Sequence, residues 1–340
     1  VFDYTQPAMM MCDEGYSLTG MVSGATSFAM PCSPEGLLAL TVQPCQPITA
    51  HIAGEITDAV TGHLMSGATA VVTDSSGLEH TITSNEFGIY YMEGVRTGEI
   101  TITVSLDSYT TWEYTMNLQD DVFHGPLDVA LNPHLEPHSW RAVLTWAVHP
   151  RDLDGHVTRH AVGPDGPTLM DPNCGICGHS TARTHLFWRQ TWMRSTVSSL
   201  WSGTREDTTK PSARLDRDNV HGNGIPETIT FFRMDTCEYD CDFVYRVWDY
   251  CSLPDALADE SEALVRLYNS DGLHSTYTIT ANGHMHSADG YLNQRGFTSV
   301  ERRWDVFKLD ASGGDVQVID CSSGNCPPDL TYAPNNHGYC

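Results

Sequence analysis

The sequence predicts an all-β chain of tandem, disulfide-stapled β-sandwich domains. Three observations carry that prediction. Apolar and polar residues alternate with the two-residue period of a strand, as in Ile100-Thr101-Ile102-Thr103-Val104 and Tyr277-Thr278-Ile279-Thr280. Runs of about four to eight such residues are separated by Gly, Asn and Asp turns, the punctuation of sandwiches. Eleven cysteines in 340 residues stand at scattered spacings, which reads as a disulfide framework in an oxidising compartment. Helical period is scarce, and its best stretch, Pro254–Leu267, is short.

Composition narrows the setting. The formal net charge is -25, and there are only two lysines, Lys210 and Lys308. That balance argues against nucleic acid and against an anionic membrane surface. It suits a self-repelling surface or one that takes up cations. No apolar run of about 18 residues occurs, so no transmembrane helix is expected. The chain opens on Val1 without an initiator methionine or a leader pattern, and a mature, processed chain is expected. No N-x-S/T sequon is present. An odd cysteine count leaves a free thiol or a bond to another chain.

Length permits two or three domains, and the chain reads as four segments in order: 1–48, 49–133, 138–320 and 321–340. In the first, Cys12-Asp13-Glu14-Gly15-Tyr16-Ser17-Leu18-Thr19-Gly20 is followed by Cys32 and Pro44-Cys45-Gln46-Pro47. This resembles the second half of a sushi (complement-control) module, without that family's tryptophan near Leu37–Thr41. The family pairs its first cysteine with its third and its second with its fourth. The resemblance therefore implies Cys12–Cys45, and leaves Cys32 in need of a first cysteine. Cys326-Pro327-Pro328 with Asn335-Asn336 resembles the beginning of such a module. Segment 321–340 is therefore expected to complete the frame of another copy, with Cys326 bonded to Cys32 across the joint. The alternative is that Cys321 or Cys340 pairs with Cys326, and Cys32 finds a local partner.

Segment 49–133 is the clearest unit. His51–Asp58, Thr61–Val72, Asn85–Tyr91, Gly98–Val104 and Asp128–Pro133 read as alternating strands and their turns, with Gly54, Gly62, Gly67 and Gly88 at tight turns or positive φ. The series resembles the carboxypeptidase regulatory-like (transthyretin-like) domain, which implies an Ig-like spacer without catalysis. Asn132–His138 follows as a proline-bracketed linker. Segment 138–320 carries Ala142–Trp146, Arg151-Asp152-Leu153-Asp154-Gly155-His156-Val157, Leu215–Asn219, Gly222–Thr230, Phe243–Val247 and Ala263–Tyr268. It resembles the YfaP-type β-sandwich, which implies a fold more than an activity.

The chemistry candidates lie in that last sandwich. Asp152 and Asp154 flank Leu153, and Asp216 and Asp218 flank Arg217. Two D-x-D pairs at strand ends can converge on one Ca²⁺, which takes six to eight oxygens, with Asn219 and Glu227 as additional donors. The competing reading is that Asp152 and Asp216 cap turns and pair with Arg151 and Arg217 in a buried polar network. Cys174, Cys177, His179 and His185 offer zinc donors, but disulfides explain such cysteines better in a secreted chain. The same holds for Cys237, Cys241 and Cys251. His284 and His286 read as a solvent-facing pair on an edge strand. Trp112, Trp188, Trp192, Trp201 and Trp248 read as core or interface anchors before sugar platforms. H-E-x-x-H, G-x-S-x-G and phosphate-loop patterns are absent, so no enzyme is expected. A glycosidase carboxylate pair would be set by geometry and not by spacing.

The expectation is a structural protomer of an extracellular filament, appendage or matrix, assembling head to tail with copies of itself. The second expectation is a secreted monomeric adhesin that binds glycans.

Overall fold

The computed structural model describes residues 7–30, 44–119, 127–147, 149–163, 166–167, 185–186, 192–193, 211–222, 225–237, 241–249, 261–279, 285–287, 301–312 and 315–321. It is built of strands, with one 3-10 turn at Met234–Thr236 among the described residues. Of the stretch with the best helical period, only the part from Ser261 lies among the described residues, and it runs into a strand, Leu264–Asn269. Two compact units are present: Val1–Thr57 with His63–Leu131, and Asp58–Gly62 with Asn132–Cys340.

The first unit begins with β1 (Ala8–Met11), β2 (Tyr16–Ser17), β3 (Ser27–Met30) and β4 (Gln46–Pro47). They form two small antiparallel ribbons, β1 with β3 and β2 with β4. A disulfide joins Cys12 to Cys45, the pair implied by the sushi-like pattern, across a separation of 33 residues. Closing a loop of that length stabilises by about 3 to 4 kcal/mol. Cys237 and Cys321, in the second unit, are also disulfide-bonded. Cys32, Cys326, Cys174, Cys177, Cys251 and Cys340 lie outside the described residues.

The rest of the first unit is a two-sheet sandwich. Its strands are β5 (Thr49–Asp58), β6 (Thr69–Thr73), β7 (Glu79–Thr83), β8 (Ile89–Arg96), β9 (Gly98–Ser105), β10 (Tyr109–Thr110), β11 (Trp112–Leu118) and β12 (Val129–Pro133). One sheet runs β10-β12-β5-β8 and the other β11-β9-β6-β7. The predicted alternation holds. Ile52 and Ile56 of β5, Ala70 and Val72 of β6, and Ile100, Ile102 and Val104 of β9 all face one core. Gly54 marks a place where only hydrogen fits. A Cβ there would lie 2.1 Å from the Leu127 carbonyl oxygen and 2.9 Å from the Tyr90 ring. Tyr90 Oη in turn donates to that carbonyl at 2.7 Å, closing β8 against the segment that leads into β12.

The second unit holds β13 (Trp140–Thr145), β14 (Leu153–Gly163), β15 (Gly166–Pro167), β16 (His185–Leu186), β17 (Trp192–Met193), β18 (Ser212–Arg217), β19 (Glu227–Phe232), β20 (Cys241–Asp249), β21 (Leu264–Asn269), β22 (Gly272–Thr278), β23 (Met285–Ser287), β24 (Glu301–Ser312) and β25 (Asp315–Asp320). One sheet runs β17-β18-β19-β13-β21-β22 and the other β15-β14-β20-β24-β23, with β16 on β14 and β25 on β24. The core between them includes Leu144, Leu153, Val157, Phe231, Phe243, Tyr245 and Phe307.

Here strict alternation of burial fails. β19 is buried at five successive positions, and the described residues of β20 from Phe243 to Asp249 are all buried. Their polar residues therefore find partners inside. Arg246 is fully buried, with Nε 3.0 Å from Asp305 Oδ1 and Nη1 donating to Thr158 Oγ1 at 2.6 Å. Arg141 donates to Asn132 Oδ1 at 2.7 Å, to Thr230 Oγ1 at 2.8 Å and to the Pro133 carbonyl at 3.1 Å. Trp112 packs in the core of the first unit, and Trp248 is buried against His156.

Candidate functional site

Three carboxylates meet at one end of the second sandwich. Asp154, Asp218 and Glu227 each place an oxygen within 4.8 Å of the others. The topology brings them there. Asp154 lies at the start of β14, directly opposite Trp248 near the end of β20. Asp218 follows the last residue of β18, and Glu227 is the first residue of the adjacent β19. The two sheets of the sandwich thus contribute to one cluster.

Two more acids stand close. Asp152 precedes β14, and Asp249 ends β20 opposite Leu153. Both raise the pKa of Asp154 by repulsion. Burial is the first cause throughout, because a low-dielectric setting disfavours the charged form. It pushes Asp154 up to about 8, with Asp152, Asp218 and Asp249 adding repulsion. It pushes Asp152 up to about 6, with repulsion from Asp218 and Asp249 and an opposing pull from Arg151. Asp218 is exposed as a residue, but partial desolvation of its carboxyl raises it, and full burial raises Glu227 well above the usual carboxylate range. Backbone N–H groups of Gly155 and Asn219 donate to Glu227 and oppose its shift.

Gly155 is what lets this happen. A Cβ at that position would lie 2.8 Å from Glu227 Oε1 and 2.9 Å from Tyr245 Oη. The glycine admits the carboxylate to the backbone N–H, a use of glycine for close approach. Glu227 is 1% exposed, and its second oxygen, Oε2, has no hydrogen-bond partner. Asp152 is 8% exposed, and its Oδ1 is likewise without one.

Of the four aspartates expected together, Asp216 goes elsewhere. It accepts from Arg214 Nε and Thr230 Oγ1, with Arg141 Nε 3.9 Å away. The physical reason is a register shift in the β18–β19 ladder between Leu215 and Arg217. It disturbs the alternation that would hold Asp216 and Asp218 on one side, and Asp218 lies beyond the strand end. The arginines beside Asp216 are Arg214 and Arg141 and not Arg217, while Arg151 acts on Asp152. Asn219 keeps its side chain for the loop: Nδ2 donates to the Ile225 carbonyl at 2.7 Å and Oδ1 accepts from the His221 N–H. Sequence reasoning missed Asp249, whose position comes from strand pairing and carries no local signal. The zinc candidates Cys174, Cys177 and His179 and the histidine His284 lie outside the described residues. Met285 and His286 lie on β23, at the edge of its sheet.

Residues 51–132 match the carboxypeptidase regulatory-like domain. No curated protein matches the chain. Among solved structures, the chain is similar to the shaft pilin SpaA from Lactobacillus rhamnosus GG, at 13% identity, 37% coverage of this chain, 61% of that one and a TM-score of 0.21. It thus spans about three fifths of that pilin. It is similar also to a candidate carbohydrate-binding protein from Bacteroides uniformis ATCC 8492, at 12% identity, with 68% and 98% of the two chains covered and a TM-score of 0.22. A streptococcal ancillary pilin aligns at 10% identity over 62% of this chain and 69% of its own, with a TM-score of 0.22. Likeness at this level bears on neither function nor assembly.

Proposed function

We propose that the chain is a structural protomer of an extracellular filament, appendage or matrix, joined head to tail with other copies through its terminal segments. The observation that carries this reading is the methionine strand β1. Among the described residues it pairs with β3 only, and Met9 and Met11 are 62% and 77% exposed. Met21 and Val22, in the loop before β3, are exposed as well. A two-stranded ribbon is marginal by itself. An apolar strand edge in water invites pairing with a strand from another chain. The added strand is assigned to the terminal segment 321–340 of a second copy, with Cys326 bonded to Cys32. The charge of -25 keeps such subunits apart except where a specific joint forms. The cysteine content supports an oxidising, extracellular location. No catalytic role is assigned to the chain.

Native material run on non-reducing gels and imaged by negative stain tests the reading. A disulfide-linked ladder or fibre is expected, and it should be lost in Met9→Ser/Met11→Ser. A monodisperse monomer at all concentrations, with an intrachain partner for Cys32, overturns it.

The secreted adhesin remains as a second reading because of one surface on the first unit. Tyr91 is 48% exposed, stacks on His51 with ring centroids 6.0 Å apart, and donates to Glu93 Oε1 at 2.9 Å. Exposed Ile89 shares that side of β8. An aromatic platform beside a carboxylate suits a sugar ring. Glycan-array binding by a monomer, abolished in Tyr91→Ala, would select this reading over the first.

A further inference from the structure

Charge balance separates this acidic cluster from the buried acids Asp216 and Asp305. Asp216 has two arginines, and Asp305 has Arg246. Asp154, Asp218 and Glu227 make no ion pair with a lysine, arginine or histidine among the described residues. Asp154 is 4% and Glu227 1% exposed. Uncompensated carboxylates at such depth are costly. They persist when protonated or when a cation sits among them.

Two further features point to a ligand and not to shared protons alone. Glu227 Oε2 belongs to a residue 99 parts in 100 buried, yet no donor reaches it. Asp152 Oδ1, from outside the triad, is also buried and unpartnered, and Asp152 lies close enough to Asp154 and Asp218 to feel both. A buried acceptor normally finds a donor. Meanwhile Gly155 holds the other oxygen of Glu227 in place by its backbone N–H, which fixes the carboxylate's direction.

From this geometry we infer that Asp154, Asp218 and Glu227, with Asp152 in support, form a binding site for one hard divalent cation of the Ca²⁺ class. The donors are all oxygen. None is the imidazole or thiolate that selects zinc or copper. Three carboxylates, each able to bind through one oxygen or two, supply three to six of the six to eight oxygens that Ca²⁺ takes, and Asp152, carbonyls and water can supply the rest. Three negative charges converging on one point favour a divalent over a monovalent ion. The cation ties β14 of one sheet to β18 and β19 of the other and so closes that end of the sandwich. This inference is independent of the filament reading: a monomer would carry the same site.

The test uses the full chain, stripped with chelator and titrated with CaCl₂ by calorimetry at neutral pH in about 0.15 M salt, which screens diffuse binding to the acidic surface. One saturable site is expected, with a Kd of about 1 mM or tighter, the range of extracellular modules. Terbium luminescence at the same site is expected to be displaced by CaCl₂. Asp218→Asn, at an exposed position, should weaken binding at least about tenfold, a change of about 1.4 kcal/mol. Its melting temperature in chelator should match the parent's, so lost binding cannot be ascribed to misfolding. Glu227→Gln should abolish the site and keep or raise the chelated melting temperature, because it replaces a buried ionisable group with a neutral one of the same shape. An unsaturable, salt-sensitive isotherm that Asp218→Asn does not change overturns the proposal. So does a Glu227→Gln protein that binds like the parent.

Discussion

Asp216 and Asp218 are separated by one residue in sequence and by kind of environment in the fold. Asp216 is fully buried and lies against Arg214, Arg141 and the Thr230 hydroxyl. Asp218 is exposed but joins Asp154 and Glu227 in a group that makes no ion pair among the described residues. Arg246 and Asp305 repeat the first arrangement deep in the other sheet. The difference teaches how a sandwich with strands buried on both faces handles its acids. Where the acid serves the fold, a partner is built in from a neighbouring strand. Where no partner is built in, the acids come from separate strand ends and converge.

The largest effect should come from breaking a balanced pair. Arg246→Met removes the guanidinium from the buried Asp305 carboxylate and should destabilise the second unit by about 3 to 5 kcal/mol, read by urea unfolding. An unchanged midpoint would remove the distinction between the two kinds of site. Asp216→Asn should cost less, about 2 kcal/mol, because Arg214 is partly exposed and returns to water while Arg141 keeps its neutral partners. The unbalanced cluster should respond with the opposite sign. Asp154→Asn in chelator should stabilise by up to about 1 kcal/mol, by removing repulsion that no cation offsets. With saturating CaCl₂ the same variant should be less stable than the parent, since it loses the ligand's contribution. Equal destabilisation in both conditions would place Asp154 among the structural acids. The smallest effect should follow Tyr91→Ala, an exposed change expected to stay within about 0.5 kcal/mol.

The first unit was legible because its strands alternate cleanly, with one face in the core. Ile100-Thr101-Ile102-Thr103-Val104 states its burial outright. The second unit was legible as strands but not as layers. Strands such as Glu227–Phe232 are covered on both sides, and the pairing of Arg246 with Asp305, 59 residues apart, leaves no local trace. At the site, Asp152-Leu153-Asp154-Gly155 lies at the strand end where the three carboxylates meet. Asp218 and Glu227 were visible as candidates, since both border turns. Asp216 misled because the two-residue period was carried through a register shift that only the partner strand reveals. Asp249 was invisible because its nearness to Asp154 depends wholly on the β14–β20 ladder.

The most direct measurement is the melting temperature as a function of pH, taken in chelator and again in excess CaCl₂. Folded-state pKa values raised to about 6 for Asp152 and about 8 for Asp154 mean that the folded chain holds more protons than the unfolded one above pH 4. Chelated stability must then fall as pH rises from about 4 to 8, since stability drops wherever the native state binds more protons. The general repulsion of an acidic surface acts in the same direction, so Asp154→Asn/Glu227→Gln is the control and should flatten the fall. In CaCl₂ the ion replaces the protons, and the two curves should coincide near pH 4 and separate progressively above pH 6. Curves that superimpose at every pH, or a double variant that falls as steeply as the parent, would contradict the account.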